Sequence, residues 1–354
     1  VVNYTTSDVT TTEQDDYTPA NGSLTIPAGA QQGTVEVDIV GDTAVEGDET
    51  FELTISGDQI NAPDAAAVGT ITENDVDPDT QVKEFVLTTG TDAVANFTGA
   101  DADDTFDAST ADSWGNNDVL AGGAGTDTLT ATINDDSAAD TVTFEANTNS
   151  IEVFNITVAP VAAASNAAVI DFEAVSNADT LSITNIGSDD ENLTIENLGQ
   201  IPEYTLQTNS GDTTLMFQDS ALTGTTDDLV INLKGAETAS TIALTKSAGS
   251  DTETLETVSL VTDSVANVLT DLQTTAVGPT TLEITGDENL TIATALDDEI
   301  TTISAGDFTG DLNIATATVV GGDETDGGAA DTTNSFTITT GSGNDSITST
   351  AGNG

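Results

Sequence analysis

The run Asn117-Asp118-Val119-Leu120-Ala121-Gly122-Gly123-Ala124-Gly125-Thr126-Asp127-Thr128-Leu129 sets the reading of this chain. Two units of it are in phase: Asp118 and Asp127 stand nine residues apart, and so do Leu120 and Leu129. Glycine enters left-handed turns at no steric cost and leaves its carbonyl accessible. Acid, glycine turn and large apolar residue, repeated at a fixed period, describe stacked turns with the apolar side chain inward. A looser copy, Asp103-Asp104-Thr105-Phe106, lies upstream, and another, Gly341-Ser342-Gly343-Asn344-Asp345-Ser346-Ile347, lies near the far end. The plain alternative is a glycine-rich turn between two strands.

Downstream, from about 160 to 340, short similar pieces recur. They include Leu181-Ser182-Ile183-Thr184, Leu193-Thr194-Ile195-Glu196, Leu229 to Leu233, Val258 to Leu260, Leu282-Glu283-Ile284-Thr285 and Leu312-Asn313-Ile314. Apolar residues alternate with Thr, Ser, Asn or acids, so each piece buries one face. Irregular rungs of this kind predict a parallel β-solenoid, in which neighbours bury a continuous core. A stack of antiparallel sandwiches is the competing arrangement. The segment Asp263 to Thr274 interrupts the series: Val265, Val268, Leu269 and Leu272 have helical spacing and predict one short helix or lid.

The glycine-rich run resembles the nonapeptide of RTX proteins, G-G-x-G-x-D-x-U-x. That resemblance implies a β-roll with calcium between turns, held by the carboxylates of Asp118 and Asp127 and by carbonyls at Gly123 and Gly125. By the same resemblance the looser copies would contribute Asp104 and Asp345. Phe85-Val86-Leu87-Thr88-Thr89-Gly90-Thr91-Asp92, the glycine repeats, then Ser150-Ile151-Glu152-Val153-Phe154-Asn155-Ile156-Thr157 resemble, in that order, a module of RTX-type bacterial surface-layer proteins and large adhesins.

Upstream, residues 1–75 read as short strands punctuated by glycines. Asn3 to Thr6 is extended, Ser23 to Ile26 alternates, and so do Val35, Val37 and Ile39, then Phe51, Leu53 and Ile55; Val68 to Thr72 is a last strand. This spacing suggests a sandwich. Three ordered motifs here resemble Calx-beta domains: Asp15-Asp16-Tyr17-Thr18-Pro19 with Gly22-Ser23-Leu24-Thr25-Ile26, the acidic stretch Asp42 to Phe51, and the closing Thr70 to Asp77. The resemblance implies a calcium-binding, immunoglobulin-like sandwich, with Asp16, Asp42, Glu46, Asp75 and Asp77 as ligands at one end. The family's opening strands would precede Val1, so the sandwich is expected to be incomplete at its N-terminus. Asp75-Val76-Asp77-Pro78-Asp79-Thr80 is the natural boundary. The expected organisation is all-β: a Calx-beta sandwich over 1–79, a glycine-rich calcium-binding segment over 80–135, and a β-solenoid over 136–354 that continues beyond Gly354.

Composition narrows the chemistry. The 354 residues include 62 acids, three lysines and no Arg or His, for a formal charge of −59. Nucleic acid and anionic membrane are therefore unsuited partners, since binding either needs basic side chains to displace counterions. No apolar stretch approaches the ~20 residues that span a bilayer as a helix. With no Cys and no His, disulfides, thiolate sites, imidazole-based metal sites and His-dependent catalytic triads are absent. Oxygen ligands abound and suit calcium. With 36% hydrophobic residues in clear patterns, the chain reads as folded despite its charge. No acid pair stands out as catalytic, and no enzyme is expected. The expected function is structural: a calcium-stabilised segment of a bacterial surface layer or extracellular filament, exported by type I secretion, that assembles with copies of itself and contacts a cell-surface polysaccharide. The alternatives are an extender or ligand-binding region of a large RTX adhesin, and the non-catalytic part of an RTX exoprotein.

Overall fold

The structure is a computed structural model that describes residues 1–11, 15–41, 45–57, 65–73, 75–115, 117–135, 142–160, 167–185, 192–209, 211–236, 240–247, 253–316 and 337–349. It is all-β and divides into two compact units, Val1–Gln81 and Val82–Gly354.

In the first unit, β1 (Val2–Asp8), β2 (Asn21–Leu24), β3 (Glu49–Ser56) and β4 (Ala65–Ile71) form one antiparallel sheet in the order β2-β1-β3-β4. Alternation along β3 places Phe51, Leu53 and Ile55 on one face. Phe51 lies opposite Gly69, where any side chain would collide with its ring. The fully buried Tyr17 stacks on Phe51 at 4.9 Å between ring centroids. The expected strand at Val35, Val37 and Ile39 joins no ladder; Ile39 makes only an isolated bridge to Tyr17. Its neighbours instead clamp the Tyr17 segment, with Thr18 N donating to Asp38 O at 2.8 Å and Val40 N to Asp16 O at 2.9 Å.

The second unit is a parallel β-solenoid. Its strands are β5 (Glu84–Val86), β6 (Thr105–Ala108), β7 (Leu120–Ala121), β8 (Thr128–Asp135), β9 (Val142–Asn149), β10 (Val153–Pro160) and β11 (Ala167–Val175). Next come β12 (Thr180–Asn185), β13 (Asn192–Leu198), β14 (Glu203–Asn209), β15 (Thr213–Phe217), β16 (Asp228–Ala236), β17 (Ser240–Lys246) and β18 (Thr257–Thr262). The last are β19 (Asn267–Gln273), β20 (Thr281–Gly286), β21 (Leu290–Leu296), β22 (Thr302–Ser304), β23 (Leu312–Thr316), β24 (Thr337–Thr339) and β25 (Ser346–Ser349). From β8 on, even strands build an eleven-stranded sheet that begins at β5 and β6, and odd strands build a ten-stranded sheet that begins at β7.

The core lies between these sheets. One inward column runs Phe106, Leu129, Phe154, Leu181, Tyr204, Ile231, Leu260 and Ile284, each opposite the next and each at most 1% exposed. Burial of one such side chain contributes ~1.5–3 kcal/mol, and in-register stacking extends that gain along the solenoid. The glycine-rich run and the later strands share this core.

The helix expected within Asp263 to Thr274 is instead the strand β19, Asn267–Gln273. Asn267, Leu269 and Leu272 point inward on β19, and the ladder to β17 shifts register between its first two pairs. A β-bulge inserts one residue into the alternation, which turns an inward spacing of two into three and imitates a helical repeat. Val265, counted as part of that helix face, is 53% exposed.

Candidate metal centres

The first acidic site lies within the Val1–Gln81 unit. Asp16 precedes the buried Tyr17, whose hydroxyl donates to Asp8 Oδ1 at 2.9 Å, and this anchoring leaves Asp16 only 7% exposed. Glu49 opens β3, and Glu46 lies on the turn before it. Carboxylate oxygens of Asp16, Glu46 and Glu49 all lie within 4.8 Å of one another. The cleft around them is also lined by Glu73 and Asp75. Glu73 holds the turn: its Oε2 accepts from Glu46 N at 2.6 Å and Gly47 N at 2.7 Å, while its own N–H donates to Asp48 Oδ1 at 2.9 Å. Three carboxylates at this separation repel by several kcal/mol at a near-surface dielectric of ~20, and a hard divalent cation relieves that repulsion.

Of the ligands implied by resemblance, Asp16 and Glu46 come together. Asp75 lines the same cleft and donates its N–H to Glu73 Oε1 at 2.7 Å. Asp77 instead caps a 3-10 turn at Pro78–Thr80, where its Oδ1 accepts from Asp79 N at 2.9 Å. Asp42 lies outside the described residues. Glu49 and Glu73 were not singled out from sequence; both sit inside the acidic stretches that were.

The second site is in the solenoid corner, where acids stand immediately before six strands of the eleven-stranded sheet. Asp104, Asp127, Glu152, Asp179, Asp227 and Glu256 occupy that position. Backbone hydrogen bonds link them across rungs: Lys83 N donates to Asp104 Oδ1 at 2.5 Å, Asp104 N to Asp127 Oδ1 at 2.7 Å, and Asp127 N to Glu152 Oε2 at 2.9 Å. Asp227 N repeats the last contact with Glu256 Oε2 at 2.6 Å. The glycines make room for this stacking. A Cβ on Gly122 would overlap the Ser150 carbonyl oxygen and the Asp127 carboxylate, and Gly123, at φ +112°, lies against the Ala100 carbonyl.

Most of these carboxylates are committed to the backbone. Asp104 is wholly buried, and its second oxygen accepts from Ala100 N at 2.6 Å. Asp118 is 3% exposed and accepts from Asp92 N and Gly115 N, both at 2.8 Å. Burial raises the Asp118 carboxyl above its ordinary range; those two N–H groups oppose the shift and the Asp92 charge adds to it. Asp127 differs. It is completely buried, and its Oδ2 meets no hydrogen-bond donor among the described residues. Burial pushes its carboxyl up to about 6; the Asp104 N–H opposes this, and the charges of Glu152, Asp104 and Asp103 add to it. A buried, half-satisfied carboxylate among three acids fits a divalent cation, which would supply both the missing partner and the missing charge. Glu152 and Asp103 were not singled out from the sequence; the legible signal for Glu152 was its place one residue before a strand, as with Asp127.

Gly125 also has a left-handed backbone, at φ +118°, and packs against Ala102. At the far end the copy repeats the pattern: Asp345 Oδ1 accepts from Leu312 N at 3.2 Å, and Asn344 N donates to Asp311 Oδ1 at 2.7 Å. Gly341 and Gly343 press against the carbonyls of Phe308 and Gly310.

Residues 1–77 match the Calx-beta domain family. The chain matches no curated protein and no solved structure. Among the described residues, no helix is long and apolar enough to cross a membrane.

Proposed function

We propose that this chain is a calcium-stabilised structural segment of a secreted bacterial surface-layer or extracellular filament protein, and that it acts by assembling with copies of itself rather than by catalysis. The observation that carries this reading is Asp127, a fully buried carboxylate with one oxygen lacking a donor and with acids on the rungs before and after it. Calcium at this corner would be held by Asp127 together with Glu152 and nearby carbonyls. A second ion would be held by Asp16, Glu46 and Glu49 in the Calx-beta domain, a family associated with calcium. The two continuous sheets supply a long load-bearing core, and the resemblance of the glycine-rich run to RTX nonapeptides supports export followed by folding outside the cell.

The mechanism is linkage. Acids repel in the calcium-free chain, and an ion bound only by the folded state adds its binding free energy to stability. Circular dichroism of the chelated chain, titrated with calcium, is expected to gain β structure and a higher melting temperature, both reversed by chelator. An equal gain from sodium chloride at matched ionic strength would mean generic screening and would overturn the reading.

A further inference from the structure

The corner column of acids begins with a residue of the opposite sign. Lys83 stands immediately before β5, as Asp104 does before β6 and Asp127 before β8. The register of Glu84 on Thr105, and of Thr105 on Thr128, sets the three on successive rungs. The backbone contact is the same at each step: Lys83 N donates to Asp104 Oδ1, and Asp104 N to Asp127 Oδ1. Three lysines stand against 62 acids in the chain, and one of them opens this column.

The ammonium is turned into the corner. Lys83 is half-buried, and its Nζ donates to the Gly99 carbonyl at 3.1 Å. Gly99 is the counterpart of Gly122 one rung later. A Cβ on Gly99 would meet Gly122 O and Asp104 Oδ2, and a Cβ on Gly122 would meet Ser150 O and Asp127 Oδ2. Each glycine also donates its N–H across the rung, Gly99 to Ala121 O and Gly122 to Asn149 O, both at 2.8 Å. The two rungs are therefore built alike and differ in what they hold. Asp104 has a donor on both oxygens, Lys83 N and Ala100 N, and an ammonium on the glycine that packs against it. Asp127 has an oxygen with no donor among the described residues.

We infer that the Lys83 ammonium is a built-in counter-ion, which takes at the first rung of the column the place that a metal ion takes at Asp127. The inference deepens the calcium reading above by fixing the rung at which metal dependence begins. Calcium collects six to eight oxygens. Asp104 has given both of its oxygens to backbone N–H groups, and the column position before it holds no acid. An ammonium uses at most three acceptors and carries a compact charge on a flexible stem. Being tethered, it offsets the Asp104 charge at any calcium concentration. β5 and β6 then pair without metal, and they present Asp104 N to Asp127 Oδ1 before an ion reaches Asp127.

The test is hydrogen exchange of the whole chain, in chelator and in millimolar calcium, read on Glu84–Val86 and Thr105–Ala108, with bound calcium counted by equilibrium dialysis. The variants are Lys83→Met, Lys83→Asp and Lys234→Met. The last removes the same charge from β16, where Lys234 lies 4.0 Å from Asp263. In chelator, Lys83→Met is expected to speed exchange on β5 and β6 at least about fivefold, and Lys234→Met to leave those strands unchanged. Lys83→Asp is expected to speed exchange further in chelator, and in calcium to regain wild-type protection with one more ion bound than wild type. Equal exchange in wild type and Lys83→Met would overturn the inference. So would the same acceleration in Lys234→Met, which would mark a general effect of net charge. Where wild type binds calcium, acceleration in Lys83→Asp that calcium fails to reverse would overturn it too, because the first rung would not take a metal. A wild type that binds no calcium, with β5 and β6 loosened by Lys83→Met and not by Lys234→Met, would overturn the calcium reading at Asp127 and support Lys83 as the counter-ion of Asp104.

Discussion

Replacing Asp127 with Asn should reverse the order of stability between calcium-free and calcium-loaded protein. The folded carboxyl titrates at about 6, against 3.8 for the unpaired group. An acid with a raised folded value takes up a proton on folding. Its contribution is therefore most favourable below 3.8, declines as pH rises toward 6, and stays at its least favourable above that. A shift of about two units corresponds to ~3 kcal/mol of destabilisation at pH 7.5 without calcium, at 1.36 kcal/mol per unit. Asn removes the charge and keeps an oxygen for the Asp104 N–H. The calcium-free variant should thus be more stable than wild type by ~1–3 kcal/mol at pH 7.5 and by little at pH 4. With millimolar calcium, wild type should regain the lead, because the variant has lost an anionic ligand. Urea unfolding followed by Trp114 fluorescence reads this region directly: Trp114 is the only tryptophan, is 2% exposed, and lies 6.1 Å from Phe154 between ring centroids. A calcium-free variant less stable than wild type at pH 7.5, or the same calcium increment in both proteins, would refute the reasoning.

Glu73→Ala removes the acceptor for Glu46 N and Gly47 N; it should cost ~1.5–3 kcal/mol locally and weaken calcium binding at this site in the whole chain by at least about tenfold, as read by calorimetry. Gly122→Ala should destabilise the solenoid by more than ~2 kcal/mol, because its Cβ would overlap the Ser150 carbonyl. Gly115→Ala, with open space at the same atom, should change the melting temperature little. Ile231→Ala leaves a void in the inward column and should cost ~2–5 kcal/mol in denaturant unfolding, with hydrogen exchange rising most on β14, β16 and β18 because solenoid rungs depend on their neighbours.

Much of the fold was legible because solenoid strands advertise one buried face. Leu181 and Ile183, or Leu282 and Ile284, stand two apart between polar residues and are wholly buried. What misled was irregularity within a strand: the bulge on β19 changed the inward spacing, and periodicity cannot distinguish that from a helix turn. Val35, Val37 and Ile39 alternate as cleanly as Phe51, Leu53 and Ile55, yet only the latter have strands on both sides to complete their hydrogen bonds. The acids were legible as types and not as roles. Asp118 and Asp127 look alike in sequence, nine residues apart, but Asp118 receives two backbone N–H groups and Asp127 only one. That difference is made by the neighbouring rung, 23 residues earlier in the case of Asp104. Glu49, Glu73 and Glu152 were hidden for the same reason, since a chain with 62 acids gives no local signal of which ones converge.

Divalent cations are expected among the buried acids. This is tested most directly by a high-resolution map of the calcium-replete chain. Density for an ion at ~2.3–2.6 Å from Asp127 Oδ2, and for another between Asp16, Glu46 and Glu49, is the predicted result. Water or nothing at both places, in a chain folded as described here, would contradict it.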